Sequence, residues 1–376
     1  MATWATVPPA LLWVALGWAL APSGGVPGRR RGVATAAFSP TGRKDLQSGT
    51  FGCVGACTTE LKEPTGVGST GDYCEDGNWT KNTGTACANA NDPVSSNEQG
   101  GETFGEIISW DVGGVEDLAA LFRDAANFNA PLAAWNVQRA TDMSDMFRDA
   151  KNFNSPLERW DVSKVQTMSG MFRSAASFNA PLNMWDVGAV TDMSEMFRGF
   201  GVSVFNSPLN RWDVSRVQTM SRMFRSAASF NAPLNMWDVG AVTDMSEMFR
   251  GFGVSVFNSP LNRWDVSRVQ TMSGMFRSAT SFNVPLNMWD VSRAETMAQM
   301  FKNAPRFNQP LGRWNIQSLK DLAKPPTPAP MAEMFAYSGM HRQIICTPAW
   351  APRKIESELG NTFTGTTSKI LCCYRT

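Results

Sequence analysis

The stretch Phe178–Arg198, FNAPLNMWDVGAVTDMSEMFR, decides how the rest of the chain is read, because it recurs without one difference at Phe230–Arg250. Its two halves have different periods. Trp185 and Val187 stand two apart, the spacing that puts two side chains on one face of a strand, with Asp186 between them facing outward. Met193, Met196 and Phe197 then fall at i, i+3 and i+4, one stripe of a helix. Thr191 or Asp192 can cap that helix, and Glu195 follows Asp192 by three positions. The pattern predicts a short strand and a short helix, closed by small residues and a Phe-Asn turn.

The tryptophans extend this unit along the chain. Trp110, Trp135, Trp160, Trp185, Trp212, Trp237, Trp264, Trp289 and Trp314 are separated by 25 residues, or by 27 at two steps. Both longer steps carry the same Gly-containing insertion, Phe197–Asn206 and Phe249–Asn258. A lone unit cannot bury its Trp, Met and Phe, whereas stacked units can. The predicted fold is therefore α/β: a leucine-rich-repeat-like solenoid of about nine to ten strand–helix coils of 25–27 residues, with N- and C-terminal caps. Arg159–Asn210 and Arg211–Asn262 differ only at Lys164/Arg216 and Gly170/Arg222, so two coils were copied as a block. A catalytic pocket could not be copied this way without being doubled or split.

The full unit, F-N-x-P-L-x-x-W-D-V-x-x-V-x-x-M-x-x-M-F, resembles the 25-residue repeat of BspA-like surface proteins, the mycoplasma lipoprotein-type repeat, from about Glu106 to Leu319. The resemblance implies an α/β solenoid on a cell surface, used in adhesion and protein binding. The first unit departs from it, with Leu118 and Leu121 in place of the methionines, as suits an edge coil.

Outside the repeats the chain divides into a signal or targeting segment (1–37), a Cys-containing region (38–102), and, after the solenoid (103–320), a Pro-rich insertion with a C-terminal cap (321–376). The apolar run Ala10–Ala21 suits a secretory leader, with Ala19-Leu20-Ala21 as a cleavage site. Ala34–Ala37 before Phe38 offers a second junction, of the kind found in two-part plastid presequences. Elsewhere the sequence has no apolar run long enough for a membrane helix. Cys53, Cys57, Cys74 and Cys87 cluster in one stretch, and Cys346, Cys372 and Cys373 lie at the other end. Disulfides are the reading favoured over metal, since no histidine lies near the first four and their spacings are not those of a zinc ribbon. The sequon Asn78-Trp79-Thr80 in the same stretch is expected on an exposed loop.

Net charge is +1, which gives no reason to expect nucleic acid. There is no Ser/His/Asp set, no phosphate loop and no HExxH, and His341 is the single histidine, so neither catalysis nor a cofactor is expected. Function is sought on the outward face. Asp161, Asp186, Asp213, Asp238, Asp265 and Asp290 recur there, with Asp111 at the first coil and Asn136 and Asn315 in the same column. Two residues earlier, on the same face, Arg159, Met184, Arg211, Met236, Arg263, Met288 and Arg313 alternate, and Lys164, Arg216, Arg268 and Arg293 lie just beyond. Carboxylates about 4.8 Å apart repel by about 1 kcal/mol or less in water. The stripe reads as a solvated, self-compensating sheet face, as a ligand face for a protein or glycan, or as a cation ladder. One carboxylate per coil is too few for calcium without further ligands. Asn129, Asn154, Asn179, Asn206, Asn231, Asn258, Asn283 and Asn308 predict an asparagine ladder at the turns. The expected function is surface or secreted recognition, with an intracellular or organellar scaffold as the alternative and an enzyme of unknown type, needing a pocket at the caps, as the third reading.

Overall fold

The computed structural model describes residues 110–200, 203–319 and 330–340, together with the backbone of three short strands. Those strands, β1 (Tyr73–Glu75), β2 (Asn78–Lys81) and β3 (Thr85–Cys87), form an antiparallel sheet in the order β1-β2-β3. The sequon therefore lies in the middle strand rather than on a loop, with Asn78 opposite Glu75 of β1 and Trp79 and Thr80 paired on both sides.

Within the repeats the elements differ from those expected. Among the described residues there is no α-helix, and the one helical turn is a 3-10 turn at Gln317–Leu319. The Met-Phe segment is instead a ladder between coils. The amides of Met193, Glu195, Phe197 and Gly199 donate to the carbonyls of Thr219, Ser221, Met223 and Arg225 in the next coil, at 3.1, 2.8, 2.9 and 2.8 Å. Between these, Met196 and Arg198 donate three residues back, at 3.3 and 2.9 Å. An α-helix would send every amide four residues back within its own coil. Here alternate amides find partners on the neighbouring coil, and parallel bridges run from Asp117 to Thr296 along the stack.

That geometry needs left-handed residues. Glu195 has φ of 57° and Arg222 58°, and Gly170 and Gly274, both at 63°, occupy the same column. A left-handed non-glycine residue costs roughly 1–2 kcal/mol, which the ladder bonds and burial offset.

The Trp-Asp-Val segment, expected as a strand, is a pair of turns. Trp185 N donates to Leu182 O at 3.1 Å and Val190 N to Val187 O at 2.9 Å. A side chain bridges the coils at this edge. Trp185 Nε1 donates to Leu157 O of the preceding coil at 2.9 Å, and the same bond recurs from Trp160 to Trp314. This explains why Trp stands where an aliphatic residue would fill similar space: a buried indole must place its N–H, and the neighbouring Leu carbonyl accepts it.

The core consists of side-chain columns. The nine repeat tryptophans, Trp110 to Trp314, are 0–5% exposed, and both methionine columns from Met143 to Met300 are fully buried. The column spacing widens across the coil. The ladder edge has the roughly 4.8 Å of paired strands. Phe197 and Phe224 stack at 5.7 Å, and Trp185 and Trp212 at 6.5 Å with planes 2° apart. The tryptophans of neighbouring coils thus stand farther apart than the phenylalanines of the ladder segment. The asparagine ladder is present as expected: Asn179 N donates to Asn154 Oδ1 and Asn206 N to Asn179 Oδ1, both at 2.8 Å, and so on to Asn308.

Candidate interaction face

The Asp column lies at the tryptophan edge, one residue after each tryptophan. Asp161, Asp186, Asp213, Asp238, Asp265 and Asp290 are all exposed. None is a bare charge. Each Oδ1 accepts the amide two residues on, for example Ser163 at 3.1 Å, Gly188 at 3.1 Å and Ser215 at 3.0 Å. The carboxylates thus close the turn that follows each tryptophan. The Ser163 hydroxyl, followed by its amide, holds the Asp161 carboxyl below its ordinary value. Ser215 does the same for Asp213, and for Asp265 the Ser267 amide leads, followed by its hydroxyl.

Beside them the alternating column makes pairs. Arg211 Nη1 donates to Met184 Sδ at 3.6 Å, Arg263 to Met236 at 3.4 Å and Arg313 to Met288 at 3.4 Å. The three methionines are 68%, 68% and 65% exposed. Arg159 has Ala134 at the matching position of the preceding coil, so its column neighbour there offers no sulfur.

A second charged column went unread in the sequence. The residue after the Leu-Phe of the first coil and after the Met-Phe of the next seven is basic, Arg123, Arg148, Arg173, Arg198, Arg225, Arg250, Arg277 and Lys302, whereas Ala336 follows Met334-Phe335. These line the ladder edge with carboxylates at the left-handed position. Glu195 meets Arg173 at 2.6 Å, Arg198 at 3.0 Å and Arg222 at 3.4 Å. Glu247 meets Arg222 at 3.0 Å, Arg225 at 2.7 Å and also Arg250. Burial disfavours both carboxylates, but the surrounding guanidiniums outweigh it and hold both below the ordinary Glu value. One basic residue per coil was the available signal.

The two Gly-containing insertions expose Phe200 (83%) and Phe252 (73%), and the cleft beside each has room for about 10 Å³, roughly one water. Among the described residues no helix is long and apolar enough to cross a membrane. Cys53, Cys57, Cys346, Cys372, Cys373, His341 and the Ala10–Ala21 run lie outside the described residues. Cys74 and Cys87 are placed by backbone alone, on β1 and β3, each opposite Trp79 of β2.

In-register coils, one residue of each type per coil, and a backbone ladder joining coil to coil define a repeat protein. The chain belongs to the family described as Mycoplasma protein of unknown function, DUF285, whose model matches residues 94–202, 182–254 and 252–330, more than half of its length. No curated protein matches it.

Proposed function

We propose that this chain is a surface or secreted recognition protein of the BspA-like kind, a capped solenoid of nine to ten coils that binds proteins or glycans and catalyses no reaction. The observation that carries the reading is the alternating column. Met184, Met236 and Met288 are about two-thirds exposed and recur at every second coil. The fold does not demand a large apolar side chain there, since Ala134 holds the same position in another coil. Exposed methionine beside arginine supplies adaptable contact area with directional donors, as binding surfaces use. The Asp column shapes this face, and the contacts come from Arg159, Arg211, Arg263, Arg313 and the methionines between them.

Each coil offers few contacts, so affinity must come from several coils at once. The test has two parts. Intact cells expressing the full chain are treated with a membrane-impermeant amine label, and labelling is expected. The purified chain is then screened against a glycan array and a panel of immobilised extracellular matrix proteins. Arg211→Glu, Arg263→Glu and Arg313→Glu together should abolish any binding found while the circular dichroism spectrum is unchanged. Failure of the label to reach the chain on intact cells would favour an intracellular or organellar scaffold.

A further inference from the structure

We propose that Met184, Met236 and Met288 are oxidation sites, converted to sulfoxides by peroxides while the core methionines of the same coils are spared. The contrast in access is complete. These three are 68%, 68% and 65% exposed, and every other described methionine between residues 143 and 300 is 0% exposed. Oxidation of a thioether follows exposure of the sulfur. A sulfur lone pair attacks one peroxide oxygen, the S–O bond forms and the O–O bond breaks. The sulfur loses two electrons, and the other oxygen takes them and leaves as water with the transferred oxygen's proton.

The neighbouring arginines give the product a defined setting. Arg211, Arg263 and Arg313 already donate to these sulfurs at 3.4–3.6 Å. A thioether is a weak acceptor. A sulfoxide oxygen is a stronger one, and it appears within reach of a guanidinium tethered on the next coil. Oxidation therefore changes one side chain in every second coil, at intervals of two coils along a single face, from apolar to polar. Because the core columns stay reduced, the stack keeps its packing. If the face binds as proposed above, oxidation weakens that binding, but the oxidation itself rests only on exposure and the arginine contacts.

The sequence supplies its own control. Cleavage after Arg and Lys yields Ser174–Arg198 and Ser226–Arg250, which are identical, so each pairs an exposed methionine (Met184 or Met236) with two buried ones (Met193 and Met196, or Met245 and Met248). Ser278–Arg293 carries Met288 alone. The full folded chain is exposed to limiting hydrogen peroxide, digested and mapped by fragmentation mass spectrometry. Oxygen is expected at the first methionine of the shared peptide and at Met288, on the order of tenfold faster than at the two buried positions. In guanidinium the three positions of the shared peptide should react alike. Equal oxidation of Met184 and Met193 in the folded chain would overturn the proposal, as would a preference that survives unfolding.

Discussion

Trp237 lies 6.3 Å from Trp212 and 6.4 Å from Trp264, and it donates its indole proton to Leu209 O at 2.9 Å. The two roles separate by substitution. Trp237→Phe keeps an aromatic ring but removes the indole bond to Leu209 O, which still accepts the Trp212 amide at 3.1 Å, so the loss is that of one hydrogen bond, about 0.5–1.5 kcal/mol. Trp237→Ala also opens a cavity, at about 3–5 kcal/mol. Urea midpoints should rank wild type above the Phe variant and the Phe variant above the Ala variant. Equal midpoints for wild type and Trp237→Phe would show that the hydrogen bond contributes nothing. Glycine carries a different constraint at this scale. A Cβ on Gly251 would stand 2.1 Å from the carbonyl of Ser278, so the insertion depends on glycine where two coils pass.

At the scale of the coil, the ion pairs of the ladder edge tie stability to pH. The folded carboxyls of Glu195 and Glu247 lie below the ordinary Glu value of 4.5. The unfolded chain therefore binds more protons near and below that pH. The stabilisation is present above about pH 4.5 and is lost as pH falls through the lower folded values. Denaturant titrations between about pH 6 and pH 3 should show the midpoint falling with pH. Glu195→Gln with Glu247→Gln should flatten that fall and lower the midpoint at neutral pH, where Arg173, Arg198 and Arg222 lose their partner. An unchanged slope would remove these carboxylates from the acid response.

The coil was only half legible in the sequence. Periodicity located the core columns, the asparagine ladder and the outward Asp column, because each follows from one residue type per coil. The ladder stayed hidden because Met193, Met196 and Phe197 carry helical spacing, while the bonds that decide their backbone come from the next coil. Two columns held the hint. The left-handed position takes Gly170 and Gly274 as readily as Glu195, and a position four residues on holds Asp149, Ser174, Ser226, Ser278 and Asn303, all turn formers. A column that admits glycine and asparagine speaks against a helix interior. The Asp carboxylates were placed outward correctly as a column, but their bonds to the amide two residues on were not foreseen. The alternation of Arg and Met was visible, and the N–H···S contact was not, since it depends on which coil precedes which.

For the whole molecule, the copied block makes length adjustable. Deleting Arg211–Asn262 joins Asn210 to Arg263, the junction already present at Asn262-Arg263. Gly274, at φ 63°, then takes the place of Arg222 at 58° against Glu195, which keeps Arg173 and Arg198. The shortened chain should fold and unfold cooperatively with a modestly lower midpoint, since two coils and their interface are lost. An insoluble product would show that the copies are not interchangeable.

The tryptophan column has an optical consequence as well as a mechanical one. From Trp110 to Trp289 the indoles lie in sequence with neighbouring centroids 6.3–6.5 Å apart, and from Trp160 to Trp289 their planes are within 3° of parallel. Chromophores held this close and this nearly parallel do not absorb as independent units. Their transition dipoles couple, and excitation passes from ring to ring before it is emitted. The folded chain should act as a one-dimensional antenna, along which excitation migrates while the emission keeps its polarisation, because each indole is held nearly parallel to the next.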